Sequence, residues 1–141
     1  VFDGNYRPRL WSSPEVARDA YEHMYRICDL VLPTDEDEEM LFGAEKPEEV
    51  VRRLQSFGVE EVVLKMGPNG CLIAGQSEQE LVPSEVVSVV DSTAAGDSFN
   101  AGFIAAKING ETSNQAAIAA HKLASTVIQH RGAIIPSAAM P

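Results

Sequence analysis

The sequence is short of basic charge: 11 lysines and arginines face 21 aspartates and glutamates, for a formal net charge of −10. A nucleic acid or an anionic membrane surface needs a basic face, so neither is expected as a partner. The deficit does not count against a phosphate ligand, which backbone amides and a few local cations can hold. Much of the acidic excess lies in one run, residues 35–39, which suits a solvated helix start. Cysteine is scarce as well. Cys28 and Cys71 lack the spacing of a metal or redox pair, and each stands in an apolar run, where a buried thiol is the expectation. No apolar run approaches the roughly 20 residues that span a bilayer. No basic-then-apolar leader stands at the start, and a reducing cytoplasm is the expected setting.

What is present is an ordinary globular balance, 45% hydrophobic and 23% charged. The 141 residues allow one domain with a real core rather than two. Val1-Phe2-Asp3 reads as a strand end, so a piece of a longer domain is expected. Residues 14–27 carry apolar positions at helical spacing, with Ser13 as N-cap and Pro14 in the first turn. Residues 29–32 predict a short buried strand ending at Pro33. Thr34 with Asp37 resembles a capping box and opens a helix that stops at Gly43. A further helix is predicted over 47–57, then strands over 62–65, 71–74 and 86–90. Ala-rich helices follow at 98–109 and 113–129, separated by Asn109-Gly110. No repeat or low-complexity linker interrupts this order.

Strands alternating with helices point to an α/β layer with a mostly parallel sheet. Ligands of such sheets bind at the carboxyl ends of the strands. The candidate segments are then 3–9, 33–37, 65–70 and 91–97. In the last of these, DSTAAGDSF at 91–99 follows a β run and opens a helix. Ala94, Ala95 and Gly96 are small enough to let their amides approach an anion at a helix N-terminus. Asp97 beside such an anion hole would repel a phosphate, so its presence needs a reason. Proton acceptance from a hydroxyl that attacks phosphorus supplies one. Helix stabilisation alone is the competing account of an aspartate in a first turn. The small residues before it and Asp91 at the strand end favour the chemical one.

The segment resembles the C-terminal signature of the ribokinase-like (PfkB) family of sugar kinases, D-[ST]-T-[GA]-A-G-D-x-F. Asp91, Thr93, Ala95, Gly96, Asp97 and Phe99 match, and Ala94 is the permitted alanine. The resemblance implies a three-layer fold with a mostly parallel central sheet. It also implies that residues 1–141 form the C-terminal part of a single kinase domain, without the lid. Asp97 is by this resemblance the catalytic base, and the 94–97 amides stabilise the transferred phosphoryl group. ATP with Mg²⁺ is the implied cofactor, and relatives' dimers make a homo-oligomer an expectation for a full-length form. The segment Lys65-Met66-Gly67-Pro68-Asn69-Gly70 resembles the strand–turn–strand that lines the family's nucleotide site; an ordinary hairpin explains it equally well. His121, ahead of Arg131-Gly132-Ala133, falls in the region flanking adenine, although a lone histidine on an Ala-rich helix is more often packing or surface. Asp91, Thr93 and the 131–133 turn resemble loops that hold a monovalent cation in several relatives.

The opening, Asp3-Gly4-Asn5-Tyr6-Arg7-Pro8-Arg9-Leu10-Trp11, resembles D-x-N-x-R-x-x-L-W of the family branch acting on 2-keto-3-deoxygluconate, and the tail STVIQHRGAIIPSAAMP is similar too. That substrate is an acid sugar, and a guanidinium fork suits its carboxylate. The resemblance gives Arg7 this role and places Asn5 and Tyr6 near phosphates and substrate. Arg9 reads as a surface charge and Trp11 as core. Where many relatives carry Asn-x-x-Glu near Mg²⁺, this chain has Thr34 and Asp37, which a helix cap explains fully. Mg²⁺ is then expected to be held mainly by ATP phosphates and water.

Overall fold

The computed structural model describes residues 1–75 and 78–141. These divide into two compact units, Val1–Met66 with Leu72–Leu81, and Gly67–Cys71 with Val82–Pro141.

In the first unit, helix α1 (Pro14–Ile27) begins where the Ser13 hydroxyl accepts from the Val16 N–H and Pro14 occupies the first turn. Its buried positions, Ala17, Tyr21 and Tyr25, recur every fourth residue and form one apolar stripe. Strands β1 (Leu30–Val31), β2 (Glu61–Lys65), β3 (Cys71–Ala74) and β4 (Gln79–Val82) form a sheet in that order. β1 and β2 are parallel, with Leu30 opposite Glu61 and Val31 opposite Val62. Their connection runs through α2 (Asp35–Phe42) and α3 (Pro47–Ser56), as a parallel crossover requires. Phe2 extends the parallel part by a bridge to Val31. The short links from β2 to β3 and from β3 to β4 leave room only for antiparallel neighbours, so the sheet is mixed. Val31, Val62 and Leu64 are fully buried in its core, each worth roughly 1.5–3 kcal/mol of transfer free energy.

A buried charge network joins the three helices of this unit. Glu38, only 1% exposed, accepts from the Tyr25 hydroxyl at 2.5 Å and from Arg53 at 3.0 Å. Arg53 also pairs with Glu45 at 2.7 Å and stacks its guanidinium over Phe42, 4.1 Å from the ring centre. Burial pushes the Glu38 carboxyl upward, and the hydrogen bond from Tyr25 and the charge of Arg53 oppose it.

The second unit is organised by α4 (Ala95–Ile108) and α5 (Ser113–Val127). Thr112 caps α5 reciprocally: its hydroxyl accepts from the Gln115 N–H, and the Gln115 carboxamide accepts from the Thr112 N–H at 3.0 Å. The helices touch at Gly102, where an added Cβ would lie 2.9 Å from the Ala120 Cα.

Two expectations are corrected. Residues 86–90 form no strand; Val86 is 99% exposed, and the strand falls at β4, ahead of Pro83. A β-prone run needs a partner edge, and proline has no N–H with which to continue a ladder. α4 starts at Ala95, three residues before the predicted boundary, because the left-handed Ala94 ends the preceding loop there.

Replacing Arg53 by methionine should cost about 3 kcal/mol in urea denaturation, since it leaves the Glu38 carboxylate buried without its cation. Adding Glu38→Gln should recover part of that loss. If the double variant loses as much as the sum of the two single ones, an uncompensated charge is not the cause.

Candidate functional site

Within the first unit, the candidate segment is the one that follows the Phe2 bridge. Asp3 pairs with Lys65 (Oδ1 to Nζ, 3.3 Å), and Lys65 at the end of β2 is only 7% exposed. The Tyr21 hydroxyl donates to the Gly4 carbonyl at 2.6 Å. A Cβ at Gly4 would lie 2.9 Å from the Tyr21 ring, so glycine allows this approach. Asn5 turns the chain at φ +46°, a left-handed conformation that asparagine tolerates better than most residues. Asn5 and Arg7 are exposed, and Arg7 Nη1 donates to the Tyr6 carbonyl at 2.9 Å. The Tyr6 ring points the other way. It is 3% exposed and meets Tyr21 edge-on at 5.9 Å, while its main-chain N–H and carbonyl are engaged by Asp37 and Arg7.

Thr34 and Asp37 act differently from a simple cap. The Thr34 hydroxyl accepts from the Asp37 N–H at 3.1 Å, as a capping residue does. The Asp37 carboxylate does not complete the box; it accepts from the Tyr6 N–H at 3.1 Å. This contact and that of Tyr21 escaped the sequence reading, because nothing local marks pairs 31 and 17 residues apart. Trp11 packs edge-on to Tyr21 at 6.0 Å but is only half-buried. It lines a cavity of 330 Å³ together with Asn5 and Arg7. Arg9 is exposed, as expected of a surface charge.

Within the second unit, the candidate residues lie in the 67–70 turn, residues 91–97 and α5. Gly67 and Gly70 hold φ of +53° and +92°. At Gly70 a Cβ would lie 2.1 Å from the Val82 carbonyl oxygen, a clash with backbone that no side chain can avoid. The Ser84 hydroxyl donates to the Pro68 carbonyl at 3.4 Å. Asn69 is exposed at the end of this turn.

In DSTAAGDSF, one Asp91 oxygen accepts from both the N–H and the hydroxyl of Thr93, at 2.9 and 2.6 Å. The other accepts from the Gly132 N–H at 2.9 Å. The hydroxyl of Thr93 and the two amides hold the Asp91 carboxyl down at about 2. That carboxylate is therefore engaged within the chain, as a staple between the 91–93 loop and the turn after α5. Ala94 sits at φ +61° and starts α4. Asn5 and Ala94 are the non-glycine residues of positive φ among the described residues, and both lie in segments marked by sequence. Strain so placed is a pointer to function.

The Ala95 N–H donates to the Ser92 carbonyl at 3.2 Å. The Gly96 and Asp97 amides project from the first turn of α4 with no hydrogen-bond acceptor among the described residues. Asp97, third residue of the helix, is exposed. His121 is 8% exposed and meets Phe99 edge-on at 4.9 Å, joining α5 to α4. Burial lowers its pKa, and its Nε2 has no hydrogen-bond partner among the described residues. Its surroundings are those of a packing residue. Among the described residues no three histidines, cysteines or acids are grouped to hold a metal, and no helix is long and apolar enough to cross a membrane. Cys71 is buried, which pushes its thiol up to about 12, and Cys28 is half-buried.

A sequence profile described as "pfkB family carbohydrate kinase" matches residues 1–140. The chain is 48% identical to a 2-dehydro-3-deoxygluconokinase of Dickeya dadantii, over 100% of its own length and 47% of that protein. It is 46% identical to a 2-dehydro-3-deoxygluconokinase of Escherichia coli K12, with the same coverage. The chain thus spans about half the length of the curated relatives it matches. Among solved structures it is similar to a PfkB protein from Polaromonas sp. JS666 (TM-score 0.81, 31% identity, 93% of this chain and 42% of that one). It is also similar to a fructokinase from Vibrio cholerae O395 in fructose, ADP and calcium ion bound form (TM-score 0.83, 27% identity, 94% and 45%). The mixed α/β architecture is accordingly part of a ribokinase-like fold.

Two substitutions test the geometry of residues 91–97. Ala94→Val should cost about 2 kcal/mol, because a β-branched side chain is disfavoured at positive φ, while Ala94→Gly should cost nothing. A tolerated valine would show that the left-handed turn is absent. Asp91 has a depressed pKa, so its stabilisation is complete above the usual 3.8 and is lost as pH falls toward about 2. The stability gap between the natural protein and Asp91→Asn should be constant above pH 4 and shrink below it.

Proposed function

The chain belongs to the pfkB family of carbohydrate kinases, and on that premise we propose that the protein transfers the γ-phosphoryl group of ATP to the 6-hydroxyl of 2-keto-3-deoxygluconate. The observation that carries the chemical part is the start of α4. An exposed carboxylate, Asp97, stands beside two amides with no acceptor, those of Gly96 and Asp97 itself. In this reading Asp97 takes the hydroxyl proton as the sugar oxygen bonds to phosphorus and the bond to the ADP oxygen breaks. The Gly96 and Asp97 amides, at the positive end of a 14-residue helix, offset charge on the transferring group. Ala94 and Ala95 supply the turn and keep the approach clear of side chains.

The substrate part rests on Arg7. Its Nη1 is engaged with the Tyr6 carbonyl, and the other face of its guanidinium fork is free to bind the substrate carboxylate through paired hydrogen bonds. The high identity to 2-dehydro-3-deoxygluconokinases supports the acid sugar over a neutral one. Nucleotide contacts are assigned to Asn5, Arg7, Lys65, Asn69 and the glycine turn of Gly67 and Gly70, while the buried Tyr6 and His121 are left to packing. Magnesium, which would neutralise phosphate charge, has no carboxylate cage waiting among the described residues and would be held through ATP oxygens and water. The Asp91 carboxylate already serves three donors, so a monovalent cation at the 91–93 and 131–133 loops would rest on carbonyl oxygens. Residues 1–141 act in this scheme as the C-terminal part of one kinase domain in the cytoplasm.

ADP release coupled to a reporter enzyme, measured on the natural full-length protein with the sugar acid, tests both parts. Asp97→Asn should lower kcat by about 10² or more; full activity in that variant would sink the mechanism. Arg7→Ala should raise KM for the sugar acid by about tenfold or more, the factor one charge-assisted pairing carries. Equal turnover of ribose or fructose by the natural protein would sink the specificity.

A further inference from the structure

The segment from Asp3 to Arg7 makes no regular secondary structure, yet it holds Asn5 at a positive φ and presents Arg7 outward. A five-residue loop does not keep such a shape by itself. Here the two main-chain groups bracketing Asn5 are both tied to side chains from elsewhere. The Gly4 carbonyl accepts from Tyr21 of α1, and the Tyr6 N–H donates to Asp37 of α2. Rotation of the peptides on either side of Asn5 would break one or the other bond. The ring of Tyr6, buried against Tyr21, prevents the loop from lifting away as a body.

Asp37 is not needed at its position for the helix alone. Thr34 already caps α2, and the same first turn carries Asp35, Glu36 and Glu38 to complement the helix dipole. The Asp35 carboxylate turns to the Glu36 N–H, and Glu38 is committed to Tyr25 and Arg53. Asp37 is the acid of this turn whose carboxylate reaches the Asn5 turn, through the Tyr6 N–H. A carboxylate accepting from a backbone amide makes one of the stronger hydrogen bonds available to a loop.

We propose that Asp37 and Tyr21 are positioning residues that clamp the Asn5 turn from its two sides and so aim Arg7 at the acid end of the substrate. The clamp deepens the reading of Arg7 as the carboxylate's partner and rests on it for its substrate. It gives a positioning role to a residue that sequence assigns to a helix cap. It also separates Asp37 from a metal role: a clamp requires an acceptor oxygen, whereas a cation requires the negative charge.

The test uses the natural full-length protein with Asp37→Ala, Asp37→Asn and Tyr21→Phe, read by amide hydrogen exchange over residues 4–7 and by calorimetric binding of 2-keto-3-deoxygluconate and of ATP. Asp37→Ala should speed exchange of the Tyr6 amide by about tenfold and weaken sugar-acid binding by a similar factor, and ATP binding by less, since most nucleotide contacts are assigned outside this turn. Asp37→Asn, which retains an acceptor oxygen without the charge, should restore both. Tyr21→Phe keeps the ring packing and should weaken sugar-acid binding severalfold. Three results would overturn the clamp: wild-type exchange at Tyr6 in Asp37→Ala, an asparagine variant as impaired as the alanine one, or lower thermal stability with unaltered sugar-acid affinity. Failure of the natural protein to bind the sugar acid would overturn the reading of the substrate instead, and the exchange rates then decide on the clamp by themselves.

Discussion

Burying the Glu38 carboxylate is the constraint from which the first unit takes its arrangement. A charge at 1% exposure is costly unless both of its oxygens find donors, and the donors here come from two other helices, Tyr25 of α1 and Arg53 of α3. The three helices are thereby held in one relation. Apolar packing alone would permit small slides and rotations, whereas a buried ion pair with a short hydroxyl contact tolerates few. Successive residues on a helix point about 100° apart, so fixing Glu38 inward also fixes where its neighbour Asp37 points. That direction is toward the Tyr6 amide. The exposed face of the Arg7 loop is in this way set by a charge in the core.

The second unit reaches its precision through backbone rather than through charge. Gly70 permits an approach to the Val82 carbonyl that any Cβ would forbid, and Gly102 brings α4 against Ala120. Ala94, in a conformation costly for alanine, lets α4 begin abruptly at residue 95. The abrupt start matters because first-turn amides have no intrahelical acceptor. One of them is satisfied by Ser92, and those of Gly96 and Asp97 have no acceptor among the described residues. Asp91 fastens the loop in front of them to Gly132.

Much of this was legible beforehand where the signal is local. The stripe of Ala17, Tyr21 and Tyr25, the Ser13 cap and the Pro14 start determine α1 within a few residues of chain, and its ends agree with expectation. DSTAAGDSF and the Arg7 segment could be singled out for another reason: small residues, a lone acid and a guanidinium in fixed spacing point to chemistry by their composition. Where local preference and tertiary context compete, the expectations failed. Residues 86–90 have the composition of a strand and lack a partner edge. The helix boundary at 95 depends on one backbone dihedral that an alanine does not advertise.

The sequence by itself therefore determined the class of fold and the small-residue helix start with its carboxylate, because each follows from residues within one turn or one strand of one another. Only the tertiary structure decided how Asp37 is used, that the Tyr6 ring faces the core, and that His121 packs against Phe99. These depend on contacts between residues that are 31, 15 and 22 positions apart along the chain, Tyr6 with Asp37, Tyr6 with Tyr21 and Phe99 with His121. Such pairs are chosen by how helices and strands pack, not by the preferences of the residues between them. The Arg7 loop shows both sides: its residue types were readable one by one, and its shape comes from two side chains on helices that the loop itself does not encode.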